Sequence, residues 1–209
     1  RAQNDVIAII ASPNYPVKEH LISLFPNLEL ICQSGVGYDS IDIQAAKKRG
    51  IAVTNTPDLV TADTADTALV LMLAVARRAV EADMFVRVGQ WQGGAMPLGT
   101  SLTGKTVGIL GLGRIGQAIA KRAESFDMNV VYHGRSEKTD QPYEYFESLE
   151  DMARISDFLV CACSGGPQTR GLVHSGILQA MKSDSFLINV ARGSVVDEQA
   201  LLIALENKI

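Results

Sequence analysis

The stretch Thr106-Val-Gly-Ile-Leu-Gly-Leu-Gly-Arg-Ile-Gly116 decides the fold of this 209-residue chain. Its first half is a short apolar run that predicts a β-strand, and three glycines in G-x-G-x-x-G spacing follow at once. An apolar-periodic segment through Phe126 then predicts a helix. In this context the first glycine makes the turn, the second lets the backbone approach a pyrophosphate, and the third lets helix and strand pack closely. The stretch therefore predicts a dinucleotide-binding unit; the alternative is a glycine-rich turn without a ligand.

Strands and helices alternate on both sides of this stretch. Short apolar runs predict strands at 6–11, 28–34, 51–55, 129–133, 158–163 and 186–190. Strands that alternate with helices and end in glycine turns indicate parallel βαβ units, so the fold class is α/β. The dense apolar pattern from Ala62 to about Val88 predicts one long helix, buried between lobes or against a partner subunit. The polar segment 137–147 is predicted to be a mobile surface loop.

The strand that follows the glycine motif bears on the type of dinucleotide. NAD-binding units usually place an acidic residue at the end of this strand, where it binds the ribose diol. Here the strand ends in His133-Gly-Arg-Ser136, with no acid at that place. Arg135 can pair with a 2′-phosphate and Ser136 can donate a hydrogen bond to it, which favours NADP. Arg135 could also be a solvated loop charge, and Glu137 keeps NAD possible.

Two further strings carry candidate anion-binding groups. In Ile188-Asn-Val-Ala-Arg-Gly-Ser-Val-Val-Asp197, a buried strand delivers Arg192 to its carboxyl end, where open α/β sheets bind ligands. The guanidinium could hold a carboxylate or stabilise charge on a carbonyl oxygen, and an ion pair with Asp197 is an equal alternative on spacing alone. In Gln33-Ser-Gly-Val-Gly-Tyr-Asp39, successive backbone N–H groups could form an anion-binding concavity that faces Arg192 across a cleft. The alternative is an ordinary βα turn.

Composition narrows the class of protein and its partners. The chain is 47% hydrophobic and 20% charged with a net charge of -4, typical of globular proteins and without the basic excess of nucleic-acid binders. No apolar run is long enough to span a membrane, and the first five residues do not resemble a signal peptide. Three cysteines in apolar strands predict buried free thiols in a reducing compartment, and Cys161-x-Cys163 lacks the further ligands of a zinc site. We therefore expect a cytoplasmic protein without a metal.

The motifs together resemble the D-isomer-specific 2-hydroxyacid dehydrogenases, in the right order over nearly the whole chain. The matching strings are Ser34-Gly-Val-Gly-Tyr-Asp39, Asn55-Thr-Pro57, Thr64-Ala-Asp66, Gly111-Leu-Gly-Arg-Ile-Gly116 and Asn189-Val-Ala-Arg-Gly-Ser-Val-Val-Asp197. Within the family, His133-Gly-Arg-Ser136 and Cys163-Ser-Gly-Gly-Pro-Gln-Thr-Arg-Gly171 are most similar to NADP-dependent glyoxylate and hydroxypyruvate reductases. The resemblance implies a Rossmann-type NAD(P)-binding domain and part of a flavodoxin-like substrate lobe.

The resemblance also implies roles for individual residues. The reaction would be hydride transfer from NADPH to the carbonyl carbon of a small 2-oxoacid, with a protonated histidine, oriented by a carboxylate, supplying the proton. Arg192 would be the catalytic arginine, and the amides of Val36 and Gly37 would hold the substrate carboxylate. The cofactor would be held by Thr64, Leu112, Gly113, Arg114, Ile115, Gly134, Arg135, Ser136, Cys163, Val190, Ala191 and Arg192.

The resemblance divides the chain into a partial substrate lobe, residues 1–60, and an incomplete NAD(P)-binding domain, residues 61–209, with a hinge and dimer helix at 62–88. The family's glutamate and histidine follow the arginine, and His20, His133 and His174 do not fit the acid–base role. We therefore expect an interior piece of a longer, homodimeric enzyme, inactive by itself. The alternatives are a corepressor-like interaction protein that binds NAD(P), and a formate- or phosphite-type dehydrogenase on the same scaffold.

Overall fold

The fold comes from a computed structural model, which describes residues 2–207. The chain divides into two compact units, one ending at Thr61 and the other beginning at Ala62. Each unit contains a parallel β-sheet with helices in its connections. The predicted α/β fold is thereby confirmed.

The first unit is built on a three-stranded parallel sheet in the order β1-β2-β3. Its elements are β1 (Ala8–Ala11), α1 (Glu19–Ser23), β2 (Leu30–Gln33), α2 (Ile43–Lys48) and β3 (Ala52–Thr54), preceded by a 3-10 turn (Ala2–Asp5). The core includes Val17, Ile22 and Ile31. The Asp42 carboxylate caps α2 by accepting a hydrogen bond from the Ala45 amide at 2.9 Å. Because the three strands are parallel, the turns that follow them all lie at the carboxyl edge of the sheet.

The second unit is built on a five-stranded parallel sheet in the order β6-β5-β4-β7-β8. Its strands are β4 (Thr106–Leu110), β5 (Asn129–His133), β6 (Glu144–Phe146), β7 (Phe158–Cys161) and β8 (Phe186–Asn189). Its helices are α3 (Thr61–Ala76), α4 (Ala79–Arg87), α5 (Arg114–Glu124), α6 (Leu149–Ile155), α7 (Ser175–Ala180) and α8 (Glu198–Asn207). The order reverses between β4 and β7, and such switch points open a crevice at the carboxyl ends of the strands.

Helices cover both faces of this sheet. Val107, Ile109 and Val160 pack into one core with residues of α3 and α5. Leu110 and Leu159 point to the other face and pack against α6, α7 and α8. A strand buried on both faces has no polar positions to alternate with its apolar ones, which explains the continuous apolar runs in the sequence.

The prediction of a single helix over 62–88 is wrong. α3 ends at Ala76 and α4 begins at Ala79, because Arg78 adopts the left-handed conformation with φ 54°. The break is stabilised by two contacts. The Arg78 Nε donates to Glu81 at 2.7 Å, and the Thr100 amide donates to the freed Ala76 carbonyl at 2.7 Å. Within the single chain α3 buries five residues and α4 buries none, and burial of this segment against a partner subunit stays a prediction.

The prediction of a mobile loop over 137–147 is wrong in its second half. Residues Glu144–Phe146 form β6, which pairs in parallel with β5 and places Tyr145 beside Tyr132. The two rings are 5.4 Å apart at their centroids. The packing of the two tyrosine rings and the pairing of β6 with β5 therefore order a segment whose polar composition favoured a loop.

The structure also bears on the predicted free thiols, membrane spans and metal sites. All three cysteines are free; Cys161 is buried, whereas Cys32 and Cys163 are only half-buried. Within the described part of the chain, no helix is both long and apolar enough to cross a bilayer. Across residues 2–207, no group of three histidine, cysteine or acidic side chains is arranged to hold a metal ion.

Candidate functional site

The glycine turn after β4 is shaped by contacts that only glycine allows. Gly111 has φ 100°, and a β-carbon there would lie 2.7 Å from the Cys163 Cα. A β-carbon on Gly116 would lie 2.1 Å from the Gly111 carbonyl oxygen. These two glycines therefore let the turn approach β7 and let α5 pack on its own turn.

Gly113 differs from its two neighbours in the motif. It is exposed, its φ is an ordinary -77°, and a β-carbon there would meet no atom within 4 Å. It is also the N-cap of α5, whose first turn receives no side-chain cap. A helix N-terminus without a side-chain cap and with open space beside Gly113 is suited to an anion, so the turn fits the pyrophosphate of a dinucleotide. Leu112 is buried beneath this turn, Ile115 packs on the core, and Arg114 is exposed.

The residues at the end of β5 lie beside the glycine turn, because the Gly111 amide donates to the His133 carbonyl at 2.8 Å. Gly134 follows, and a β-carbon there would meet only one atom, at 4.0 Å. Arg135 and Ser136 are exposed. The Arg135 guanidinium forms no hydrogen bond or ion pair with any residue between 2 and 207. A cation without a protein partner is available to an anionic ligand.

Cys163 forms the opposite wall of the turn, beyond the end of β7. The Ala162 amide donates to the Leu110 carbonyl at 2.9 Å, which holds this segment against β4. Burial raises the pKa of the Cys161 thiol to about 12, with a smaller contribution from Cys163, and burial also raises the pKa of Cys163. Both side chains are therefore protonated at neutral pH, and Cys163 contributes shape and not a nucleophile.

Arg192 stands at the end of β8, in a turn that Asn189 holds. The Asn189 side chain accepts from the Ala191 amide at 3.0 Å and donates to the Arg192 carbonyl at 2.8 Å. Asp197 instead caps α8, accepting from the Ala200 amide at 3.1 Å, and no ion pair joins it to Arg192. The alternative of an Arg192–Asp197 pair is therefore not what the structure has. Val190 is fastened to β7 through the Cys161 carbonyl at 3.1 Å.

The five-stranded sheet thus brings most predicted cofactor residues to one edge. The turns after β4, β5, β7 and β8 all leave the carboxyl edge, and neighbouring strands lie about 4.8 Å apart. Thr64 lies half-buried in the first turn of α3 in the same unit. Val36 and Gly37 belong to the first unit.

The turn that carries Val36 and Gly37 presents donors without acceptors. Gly35 has φ 148°. The Gly35 carbonyl accepts from the Thr56 amide at 3.1 Å, and the Val36 carbonyl accepts from the Asn55 side chain at 2.9 Å. The amides of Val36 and Gly37, by contrast, donate to nothing in the described chain. Fixed carbonyls and free N–H groups are the arrangement that a carboxylate requires.

Sequence reasoning missed Gln33, the last residue of β2. Its side chain is 2% exposed, and neither amide atom has a partner among the described residues. A polar residue at an inward position of an apolar strand was the available signal.

The histidines offer no catalytic geometry. His20 lies on α1, His133 contacts the Phe146 carbonyl at 2.9 Å, and His174 accepts from the Gly176 amide. None of the three bonds to a carboxylate within residues 2–207.

Known proteins resemble the chain over almost all of it. Residues 69–209 match the family described as D-isomer specific 2-hydroxyacid dehydrogenase, NAD binding domain. The chain is 45% identical to glyoxylate/hydroxypyruvate reductase A of Arabidopsis thaliana, covering 97% of this chain and 65% of that protein. It is 43% identical to the glyoxylate reductase of Thermococcus kodakarensis, covering 97% of this chain and 63% of that protein.

A solved structure gives the same picture. The NADPH-dependent glyoxylate/hydroxypyruvate reductase of Sinorhizobium meliloti, in complex with NADP and malonate, superposes with a TM-score of 0.94 at 42% identity. That match covers 99% of this chain and 65% of the other. The chain therefore spans less than two thirds of the length of these relatives.

Proposed function

The chain belongs to the D-isomer specific 2-hydroxyacid dehydrogenases, and from this premise we propose that it serves the NADPH-dependent reduction of a small 2-oxoacid, of the glyoxylate or hydroxypyruvate class, to the D-2-hydroxyacid. The observation that carries the proposal is the carboxyl edge of the five-stranded sheet. There an open glycine turn lies next to exposed Arg135, whose side chain bonds to no residue between 2 and 207.

The cofactor supplies a hydride when it is bound, and the residues of this chain hold and select it. Leu112, Gly113, Arg114 and Ile115 receive the pyrophosphate at the N-terminus of α5. Arg135 and Ser136 bind the 2′-phosphate that distinguishes NADP from NAD. Cys163 flanks the adenosine, whereas Thr64 and residues 190–192 line the nicotinamide side.

Two sets of donors in the chain serve the substrate carboxylate in this proposal. Residues 1–60 form the substrate-binding lobe, and the amides of Val36 and Gly37 donate to the carboxylate. Residues 61–209 form the cofactor domain, and the Arg192 guanidinium binds the carboxylate and carbonyl of the substrate. As the carbonyl carbon is reduced, negative charge grows on its oxygen, which the guanidinium stabilises. We assign the proton donor to none of the three histidines, because none is oriented by a carboxylate.

We further propose that the protein works as a homodimer in the cytoplasm. The free thiols of Cys32, Cys161 and Cys163 are consistent with a reducing compartment. Exposed apolar residues on α4 and in the segment after it offer a surface for a second copy.

Equilibrium binding tests the cofactor assignment without depending on turnover. Arg135→Ala is expected to raise the dissociation constant for NADPH about tenfold or more and to change that for NADH less than about twofold, because only NADPH carries the 2′-phosphate. Titration of nicotinamide fluorescence measures both constants. Arg154→Ala, which removes the same charge from exposed α6, is the control.

Equal weakening of NADPH and NADH by Arg135→Ala would refute the assignment of the 2′-phosphate site.

The same titration, repeated in the presence of a substrate analogue, tests the role of Arg192. Oxamate, a non-reducible analogue of glyoxylate, is expected to tighten NADPH binding in the wild type and to lose that effect in Arg192→Ala. Persistence of the oxamate effect in that variant would remove Arg192 from the substrate site.

A further inference from the structure

The loop that carries Arg135 is fixed at both ends by tyrosine hydroxyls. At its start, the Tyr145 hydroxyl donates to the Gly134 carbonyl at 3.3 Å. At its end, the Lys138 amide donates to the Tyr132 hydroxyl at 2.7 Å. Between these anchors Arg135, Ser136 and Glu137 are exposed. We call residues 134–138 the ribose loop.

The two tyrosines pack against each other. They are register partners across the parallel β5–β6 pair, so they share one face of the sheet. Tyr132 is 1% exposed, Tyr145 is half-buried against the same core, and their ring planes are inclined by 50°. Rings held in this way give their hydroxyl groups little freedom, so each hydroxyl is a fixed point for the backbone that it bonds.

These contacts are more than packing demands. Phenylalanine would fill the same space in the core, whereas the two hydroxyl groups bond the first and the last residue of the ribose loop. A short loop fixed at both ends loses less conformational freedom when its central residues bind a ligand.

We propose that Tyr132 and Tyr145 are positioning residues for cofactor selectivity, which hold the ribose loop so that Arg135 and Ser136 meet the 2′-phosphate of NADP. This inference rests on the proposed function, since it assumes that Arg135 reads that phosphate. The tyrosines act through the loop and touch no cofactor group themselves. They therefore favour NADPH and leave the binding of NADH nearly unchanged.

Tyr143 provides a matched control. It lies just before β6, is half-buried against the same core, and its hydroxyl faces Glu124 of α5 and not the ribose loop. Burial, the charge of Glu124 and a hydrogen bond to it raise the pKa of Tyr143. Tyr143→Phe removes the same atom from the same part of the fold without touching either anchor.

The experiment measures dissociation constants for NADPH and NADH in Tyr145→Phe, Tyr132→Phe, Tyr143→Phe and Arg135→Ala. Each anchor variant is expected to weaken NADPH about three- to tenfold, the effect of one hydrogen bond, with NADH within about twofold. Tyr143→Phe is expected to change neither constant. Melting temperatures identify any variant that does not fold, in which case the other anchor variant decides.

The double variant Tyr145→Phe/Arg135→Ala separates positioning from a purely structural role. If the tyrosine acts through Arg135, its loss costs nothing further once the guanidinium is gone, and the double variant binds NADPH like Arg135→Ala. Additive losses would overturn the inference, as would an unchanged NADPH-to-NADH ratio in both anchor variants or a shifted ratio in Tyr143→Phe. If Arg135→Ala weakens both cofactors equally, the proposed function fails and the inference falls with it. If Arg135→Ala weakens NADPH selectively but Tyr132→Phe and Tyr145→Phe change neither constant, only the inference is overturned.

Discussion

At the scale of the residue, the three glycines of one motif serve three different contacts. Gly111 and Gly116 are glycine because protein atoms occupy the place of a side chain, at 2.7 Å and 2.1 Å from their built β-carbons. Gly113 is glycine although the protein leaves that place open. The open space at Gly113 fits the role of the second glycine of the motif, which lets a pyrophosphate approach the backbone.

This difference predicts opposite results for the same substitution. Gly113→Ala should lower the free energy of unfolding by no more than about 1 kcal/mol, because alanine is a poorer N-cap than glycine but its β-carbon meets nothing and φ -77° suits it; it should still weaken NADPH and NADH alike. Gly116→Ala should lose about 2 kcal/mol or more, because its β-carbon collides with backbone. Urea unfolding and cofactor titration measure the two effects. Normal binding by Gly113→Ala would disprove the pyrophosphate assignment.

At the scale of the element, Asp157 joins three segments at the amino edge of the five-stranded sheet. Its carboxylate accepts from the Thr106 amide of β4 at 2.8 Å and from Lys182, after α7, at 2.9 Å, with Lys105 at 3.5 Å. Burial alone would raise the pKa of Asp157, but the Thr106 amide, Lys182 and Lys105 together lower it below its usual value. The charged carboxylate is therefore stabilised by the folded state.

Asp157→Asn is expected to lower the free energy of unfolding by about 1 to 2 kcal/mol at pH 7, because it removes charge from hydrogen bonds in a site where the side chain is 15% exposed. A carboxyl whose pKa is lower in the folded state stabilises fully above its unfolded pKa, about 3.9, and loses that contribution as pH falls through the folded value. The gap between wild type and variant should therefore close below about pH 4. Urea unfolding across pH measures it, with exposed Asp184→Asn as the control; a gap that does not narrow at all as the pH falls below 4 would contradict this origin.

Elements were predictable from the sequence where the signal was local. The glycine motif located β4 and α5, and apolar runs located the other long strands, because parallel strands buried on both faces are apolar throughout. The turns at their carboxyl ends then followed, and with them the places of Gly113, Arg135 and Arg192. The family resemblance was needed for their roles.

Elements were not predictable where distant contacts decide them. The break between α3 and α4 depends on the Thr100 amide reaching Ala76, and Arg78 takes the left-handed position that is usually held by glycine or asparagine. β6 depends on its register with β5, so the anchors at Tyr132 and Tyr145 had no sequence signal either. Register and long-range capping are properties of the folded sheet and not of a short window of residues.

At the scale of the whole molecule, the segment 77–99 leaves the body of the second unit and returns to it. It starts after Ala76, runs through α4 and a 3-10 turn (Gln90–Gly93), and closes where the Thr100 amide meets the Ala76 carbonyl. No residue between 77 and 99 is buried, and several of the exposed ones are large and apolar. Met84, Phe85, Val88 and Met96 line a concavity of about 520 Å³ on this segment. Ordering this segment costs conformational entropy, and within the unit little burial of apolar surface offsets that cost.

A second copy of the chain would supply the missing burial, so we expect the protein to have twice the mass of one chain in solution. Val88→Asp should shift the protein to monomers, raising the dimer dissociation constant about 100-fold or more, because a carboxylate buried in an apolar contact is costly. The monomer should keep its melting transition, since Val88 is 59% exposed within the chain. Sedimentation equilibrium measures the mass, with Tyr15→Asp, at an exposed site of the first unit, as the control. A wild type that sediments as a monomer, or a Val88→Asp variant that stays dimeric, would leave the apolar surface of segment 77–99 to another partner.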